Sequence, residues 1–134
     1  MARHILDETH IHPAIREGIA RNNEDIVLEV KRAIGENRIV VIGMGQNPYP
    51  RKACRALNAK GIVHKYLEYG SYLSHWRRRN ALKMWTGWPT FPMIFVKGVL
   101  IGGADDLEKL LSSGELATML AAPRAVSSGA SPRP

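Results

Sequence analysis

Val40-Val41-Ile42-Gly43-Met44-Gly45-Gln46-Asn47-Pro48-Tyr49-Pro50-Arg51-Lys52-Ala53 runs from an apolar strand through a glycine-bearing loop into the start of a basic helix. The strand is expected over Arg38 to Ile42. The helix begins at Pro48, because the fixed φ and missing N–H of proline suit a first helical position. Asn47, just before it, has a side-chain oxygen able to cap the unpaired N–H groups of the first turn. The helix carries Ala53 and Leu57 on one face and ends near Gly61, after which Ile62 to Leu67 alternates well enough for a second strand. A right-handed β-α-β crossover makes these two strands parallel.

Downstream, a basic helix spans about Leu73 to Trp85, and a Thr86-Gly87 break leads into Trp88-Pro89-Thr90-Phe91-Pro92. Met93 to Val96 and Val99 to Ile101 flank Lys97-Gly98, a two-residue hairpin signal that makes them antiparallel. Beyond Gly102-Gly103, Asp105 to Leu111 reads as a helix with Leu107, Leu110 and Leu111 inward, and another follows over Glu115 to Ala121. Upstream, Asn23 caps a helix, Glu24 and Asp25 suit its positive end, Ile26, Val30 and Ile34 form its stripe, and Gly35 stops it. Earlier still, Pro13 at a first helical position and Ile11, Ile15 and Ile19 spaced by four predict a short amphipathic helix. The chain thus divides into an N-terminal helical extension (1–22), an α/β domain with a mixed sheet (23–121) and a tail (122–134). The tail is rich in Ser, Pro, Gly and Ala and is expected to be disordered.

With 134 residues the chain is one domain by length. Cys54 is its only cysteine. An intrachain disulfide and a Cys-rich metal site are therefore excluded, and the expected compartment is the cytoplasm. No apolar run approaches the ~20 residues of a membrane-spanning helix. A formal charge of +7 attracts anions, whether glutathione, nucleic acid or an acidic protein.

Four motifs, taken in order, resemble those of glutaredoxins: Asn47-Pro48-Tyr49-Pro50, Trp88-Pro89-Thr90-Phe91-Pro92, Val96-Lys97-Gly98 and Gly102-Gly103-Ala104-Asp105-Asp106. The resemblance covers about residues 24 to 120. It implies the thioredoxin (glutaredoxin) fold, a four-stranded mixed sheet flanked by helices. The Trp88-Pro89-Thr90 form and the lack of a second thiol resemble the monothiol branch, whose members carry Cys-Gly-Phe-Ser and share an iron–sulfur cluster through glutathione. The departures are specific. Asn47 stands where the nucleophilic thiol of Cys-Pro-Tyr-Cys would be, and Pro50 where a resolving thiol would be. The lysine usual a few residues upstream is replaced by Met44 or absorbed into a shorter loop.

Glutaredoxin chemistry requires a thiolate to attack a mixed disulfide. The Asn47 amide is neutral and not nucleophilic, so no catalytic residue is assigned. Cys54 lies about two turns, roughly 10 Å, further along the helix and is expected to be packed and inert. For the glutathione groove the resemblance implies more. Pro92 is the cis-proline, leaving the Phe91 backbone free to pair with the tripeptide as an added strand. Gly102 and Gly103 allow close approach, the Ala104 main-chain N–H takes the γ-glutamyl carboxylate and Asp105 takes the amine. Arg79 faces the glycine carboxylate, although Arg77, Arg78 and Arg79 also read as a solvated helix face. His10 and His12 would point the same way on a strand but have no further ligand cluster, so no metal is assigned. Gly43-Met44-Gly45 lacks the remaining signals of a nucleotide loop.

The leading reading is a glutaredoxin-like protein without the catalytic thiol. It would be a non-catalytic module binding glutathione, or a glutathionylated or iron–sulfur protein partner, in thiol-redox or iron–sulfur homeostasis, with no iron–sulfur cluster of its own. The enzyme alternative is a monothiol-type oxidoreductase acting through Cys54. A third reading, nucleic-acid binding, rests on Arg77 to Arg79, Lys83, Trp76 and Trp85, which combine cations with stacking surfaces.

Overall fold

The run Ile39–Gly43 forms β1, and all five of its residues are buried. A central strand covered on both faces needs no polar alternation, which is why the run is apolar throughout. The computed structural model describes residues 3–45, 47–70 and 76–122. Within it β1 pairs in parallel with β2 (Lys65–Glu68) and antiparallel with β3 (Met93–Val96). A hairpin through Lys97-Gly98 adds β4 (Val99–Gly102), giving the order β2-β1-β3-β4. The helices are α1 (Pro13–Arg21), α2 (Glu24–Glu36), α3 (Pro48–Ala59), α4 (Trp76–Thr86), α5 (Ala104–Ser113) and α6 (Glu115–Ala121).

Side-chain alternation on β1 and β3 divides the interior into two cores. Val40, Ile42, Met93 and Phe95 pack with Ile26 and Val30 of α2 and Leu82 of α4. Ile39, Val41, Ile94 and Val96 pack with Leu57 of α3, Leu107 of α5 and Leu116 of α6. The mixed sheet flanked by helices is as expected. Its layering brings the starts of α3 and α5 and the chain after α4 to one end of the sheet.

Several local expectations need correction. Asn23 stands before α2, but its left-handed backbone (φ 50°, ψ 40°) turns the side chain away from the helix. Its amide donates instead to Asn22 Oδ1 at 3.1 Å. Gly35 does not stop α2; Asn37 does, donating to the Ala33 carbonyl from both its side chain (3.0 Å) and its N–H (2.9 Å). β2 begins at Lys65 and not at Ile62, because the Ile62 N–H closes the end of α3 on the Leu57 carbonyl at 2.9 Å. His10 and His12 are not on a strand. His10 ends a short 3-10 turn, and His12 caps α1 by accepting the Ala14 N–H on Nδ1 at 3.0 Å. The expected start of α4 at Leu73 and the expected disordered stretch from Pro123 lie outside the described residues.

The N-terminal extension touches the domain at a defined point: Arg3 Nη1 donates to the Thr86 carbonyl at 2.8 Å. There a cation meets the negative end of α4. The isoleucine stripe of α1 is not a core element, since Ile15 and Ile19 remain 56% and 47% exposed.

Arg77, Arg78 and Arg79 do not form one solvated face. Arg77 lies over the exposed Trp76 ring, 5.1 Å from its centroid, and Arg78 pairs with Asp25 at 3.0 Å. Arg79 is buried and donates from Nη1 to the Tyr69 carbonyl at 3.1 Å. Trp85 stacks on Phe95 with centroids 6.1 Å apart, so it serves the core and not an open stacking surface. These contacts draw Arg78, Arg79 and Trp85 away from the arrangement that the nucleic-acid reading requires.

Candidate functional site

At the start of α3, Asn47 Oδ1 accepts the Tyr49 N–H at 3.0 Å and Pro48 occupies the first turn, so the cap expected from sequence is present. The other end of the amide reaches further. Asn47 Nδ2 donates to the Phe91 carbonyl at 3.4 Å, across 44 residues of sequence. The Phe91–Pro92 peptide is cis, as expected. The Phe91 backbone is therefore not wholly free: its carbonyl holds the Asn47 amide on one of two lone pairs. Its N–H has no partner among the described residues.

Pro50 is buried against β1. A Cβ placed on Gly43 would lie 2.6 Å from Pro50 Cβ and 2.9 Å from Tyr66 Oη, so this approach of strand to helix requires glycine. The Tyr66 hydroxyl donates to Glu68 at 2.8 Å, and burial pushes its pKa up, with the adjacent carboxylate adding to the shift.

The start of α5 supplies a second wall. Gly102 has φ 114°, and a Cβ there would fall 2.3 Å from Asp106 Oδ2, the carboxylate oxygen that accepts the Gly103 N–H at 2.9 Å. Gly103 differs. Its φ is −108°, and an added Cβ would meet the Pro92 carbonyl at 3.5 Å and Trp88 Nε1 at 3.9 Å, both ordinary contacts. The protein itself does not need glycine at 103; the open space there belongs to the groove. The first-turn N–H groups of Ala104 and Asp105 lack intrahelical acceptors and sit at the positive helix end. The Asp105 side chain is exposed beside them.

The third wall follows α4. The Gly87 N–H donates to the Lys83 carbonyl at 2.8 Å and the Trp88 N–H donates to Thr86 Oγ1 at 3.1 Å, which sets the path of Trp88 to Pro92. Together the walls enclose a groove of about 470 Å³. It gathers Asn47, Phe91, Pro92, Gly103, Ala104 and Asp105, all singled out from sequence. Arg79 is not on it. The cation on the wall is Lys83, one helical turn later, with Nζ 5.8 Å from the Phe91 ring centroid. Lys83, Tyr49, Trp88 and Asp106 are among the lining residues that the sequence did not assign to a groove. The available signal was position: Lys83 follows Arg79 by four residues and is closer to the Trp88 loop.

Cys54 is half-buried against the α3 side of the second core, away from the groove lining. Burial pushes its thiol pKa up, so it is neutral at pH 7 and poorly nucleophilic. Alkylation at pH 7 should be slow and should rise about tenfold per pH unit below the pKa, with denatured protein reacting at least ~10-fold faster. Rapid stoichiometric labelling of the folded protein at pH 7 would contradict this. Among the described residues no group of three His, Cys, Asp or Glu side chains is placed to hold a metal ion.

A glutaredoxin family model matches residues 39–101. A glutaredoxin-like protein of Dictyostelium discoideum is 49% identical over 94 residues, covering 70% of this chain and 76% of the relative. The chain belongs to the glutaredoxin family. Glutaredoxin 4 of Haemophilus influenzae (strain 86-028NP) is 34% identical over 95 residues, covering 69% of this chain and 89% of its own length. Among solved glutaredoxins, a buckwheat glutaredoxin–glutathione complex superposes with a TM-score of 0.64 at 21% identity, over 75% of this chain and 91% of that one. That likeness carries the glutaredoxin fold. The glutaredoxin match spans β1 to β4, so it contains Asn47, Phe91 and Pro92, while Gly103 to Asp106 follow its end.

Proposed function

We propose that this chain is a non-catalytic glutaredoxin-family module that binds glutathione, or a glutathionyl group carried by a partner protein, in thiol-redox or iron–sulfur homeostasis. The observation that carries the reading is a groove assembled around an amide: Asn47 serves as a helix cap bonded to the Phe91 carbonyl, with no thiol beside it. Asn47 and Pro50 then occupy the family's two cysteine positions, and Trp88-Pro89-Thr90 places the chain near the monothiol branch. The Phe91 N–H and the second lone pair of its carbonyl are offered to the tripeptide backbone. The Ala104 and Asp105 N–H groups take the γ-glutamyl carboxylate, and the Asp105 carboxylate takes its amine. Lys83, in place of Arg79, meets the glycine carboxylate.

An iron–sulfur cluster, implied by the monothiol resemblance, does not fit these residues. Such clusters are held by protein thiolates, and the chain's sole thiol, Cys54, is half-buried against the second core and away from the groove lining. One half-buried, neutral thiol suits a reducing compartment such as the cytosol.

A chemical-shift titration with reduced glutathione tests the proposal. The amides of Phe91, Ala104 and Asp105 should move saturably in the wild type. They should stay still in Gly103→Ala, whose stability should remain within about 0.5 kcal/mol because the added methyl makes only ordinary contacts. A coupled NADPH assay should show no reduction of glutathione mixed disulfides above background. Unmoved amides at millimolar glutathione, or equal movement in the variant, would remove the groove reading.

A further inference from the structure

Two groove features are not used by the binding scheme above: the internally paired amide of Asn47 and the ring of Tyr49 two residues later. Asn47 spends its Oδ1 on the Tyr49 N–H and one Nδ2 hydrogen on the Phe91 carbonyl. What remains of its hydrogen-bonding capacity is one N–H and one lone pair of a neutral carboxamide. Sulfur is a weak acceptor whether it is a thiol or a thioether, and the amide cannot form a disulfide. This end of the groove therefore has no means of preferring a free thiol.

Tyr49 supplies something that a substituent on the sulfur could use. Its side chain lines the groove yet is 54% exposed, and its backbone is fixed by the Asn47 cap. Met44, buried on the same lining, adds a polarizable thioether. An aromatic or aliphatic group leaving the ligand's sulfur would find an apolar ring held on a rigid helix start, with solvent beyond it.

We infer that the groove binds glutathione S-conjugates, with Tyr49 as the platform for the apolar substituent on sulfur. This deepens the glutathione-binding reading and rests on it. The tripeptide supplies the charges for α5 and Lys83, and the conjugated group supplies affinity that the free tripeptide lacks. Binding involves no bond making or breaking.

The test is calorimetric titration of the full chain with reduced glutathione, S-methylglutathione and S-benzylglutathione, in wild type and Tyr49→Ala. In the wild type, S-methylglutathione should bind within about threefold of reduced glutathione, and S-benzylglutathione at least about threefold more tightly, the scale of one aromatic pair. The ratio of benzyl to reduced affinity should fall to near one in Tyr49→Ala. Because the ratio is taken within one protein, it is insensitive to a general loss of groove affinity. A benzyl gain below about threefold, S-methylglutathione bound more than about threefold more weakly than the thiol, or a gain that survives Tyr49→Ala overturns the inference while leaving glutathione binding intact. Failure of all three ligands to bind overturns both.

Discussion

Gly43→Ala should destabilise the protein by about 1–3 kcal/mol or more, the usual range for overpacking a filled core. The new methyl would lie 2.6 Å and 2.7 Å from Cβ and Cγ of Pro50 and 2.9 Å from Tyr66 Oη. The proline ring cannot rotate aside, because it is built into the first turn of α3, and the tyrosine hydroxyl is engaged by Glu68. Relief must come from moving α3 away from the sheet, which loosens Ala53 and Leu57 in the second core. Asn47 would move with the same helix start, so the groove should suffer along with the fold. Thermal unfolding checks this, with a midpoint lowered by about 5–10 °C for a domain of this size. Gly35→Ala is the opposite-sign control. Gly35 lies inside α2, and an added Cβ there would have no heavy-atom neighbour within 4 Å among the described residues. Helix propensity alone should then raise stability by about 0.5–1 kcal/mol. A Gly43→Ala midpoint equal to wild type would show that the strand-to-helix approach is more compliant than these distances allow.

Asn47→Cys should create a reactivity that the wild type lacks. The introduced thiol would stand at the α3 N-terminus, where the positive helix end favours the thiolate and lowers its pKa. Lys52 adds little, since it pairs with Glu108 at 3.4 Å. Treated briefly with oxidised glutathione, the thiolate attacks one sulfur of the disulfide. The sulfur–sulfur bond breaks, one glutathionyl group is retained and the other leaves as a thiolate that takes up a proton. Mass spectrometry in a Cys54→Ser background should show one added glutathionyl group on the folded variant and none on the parent. The substitution also removes the cap and the Phe91 contact, at a cost of about 1 kcal/mol, which the domain should tolerate. If the folded variant stays unmodified while the denatured one reacts, the groove no longer presents glutathione to position 47, and the proposed function falls.

The sheet and its neighbours were legible from sequence wherever the determinant is local. The apolar run at β1, the Asn47-Pro48 helix start and the Lys97-Gly98 hairpin are set by patterning, capping and turn geometry within a few residues, and each appears as expected, with β1 displaced by one residue to Ile39–Gly43. Phe91, Pro92, Gly103, Ala104 and Asp105, read from sequence as groove residues because they sit on motifs that resemble those of glutaredoxins, line one groove, and Asn47, read as a helix cap, joins them. The misreadings share a cause. Asn23 has a capping side chain but a backbone turned left-handed, and Gly35 sits inside α2 because Asn37 supplies a better stop two residues later.

On α4 the tertiary structure decided everything that matters to the site. Trp76 to Lys83 carries charge and bulk on every side, so no stripe in the sequence says which arginine turns inward. Arg79 is buried with its guanidinium donating to the Tyr69 carbonyl, which leaves the groove wall to Lys83. The Asn47 contact with Phe91 spans 44 residues and the Arg3 contact with Thr86 spans 83. The sequence by itself determined a four-stranded mixed sheet, a capped α3 start and the absence of a thiol at position 47. Which side chains meet across the groove was settled only by packing, because hydrogen bonds between distant segments depend on how whole helices dock and leave no periodic trace along the chain.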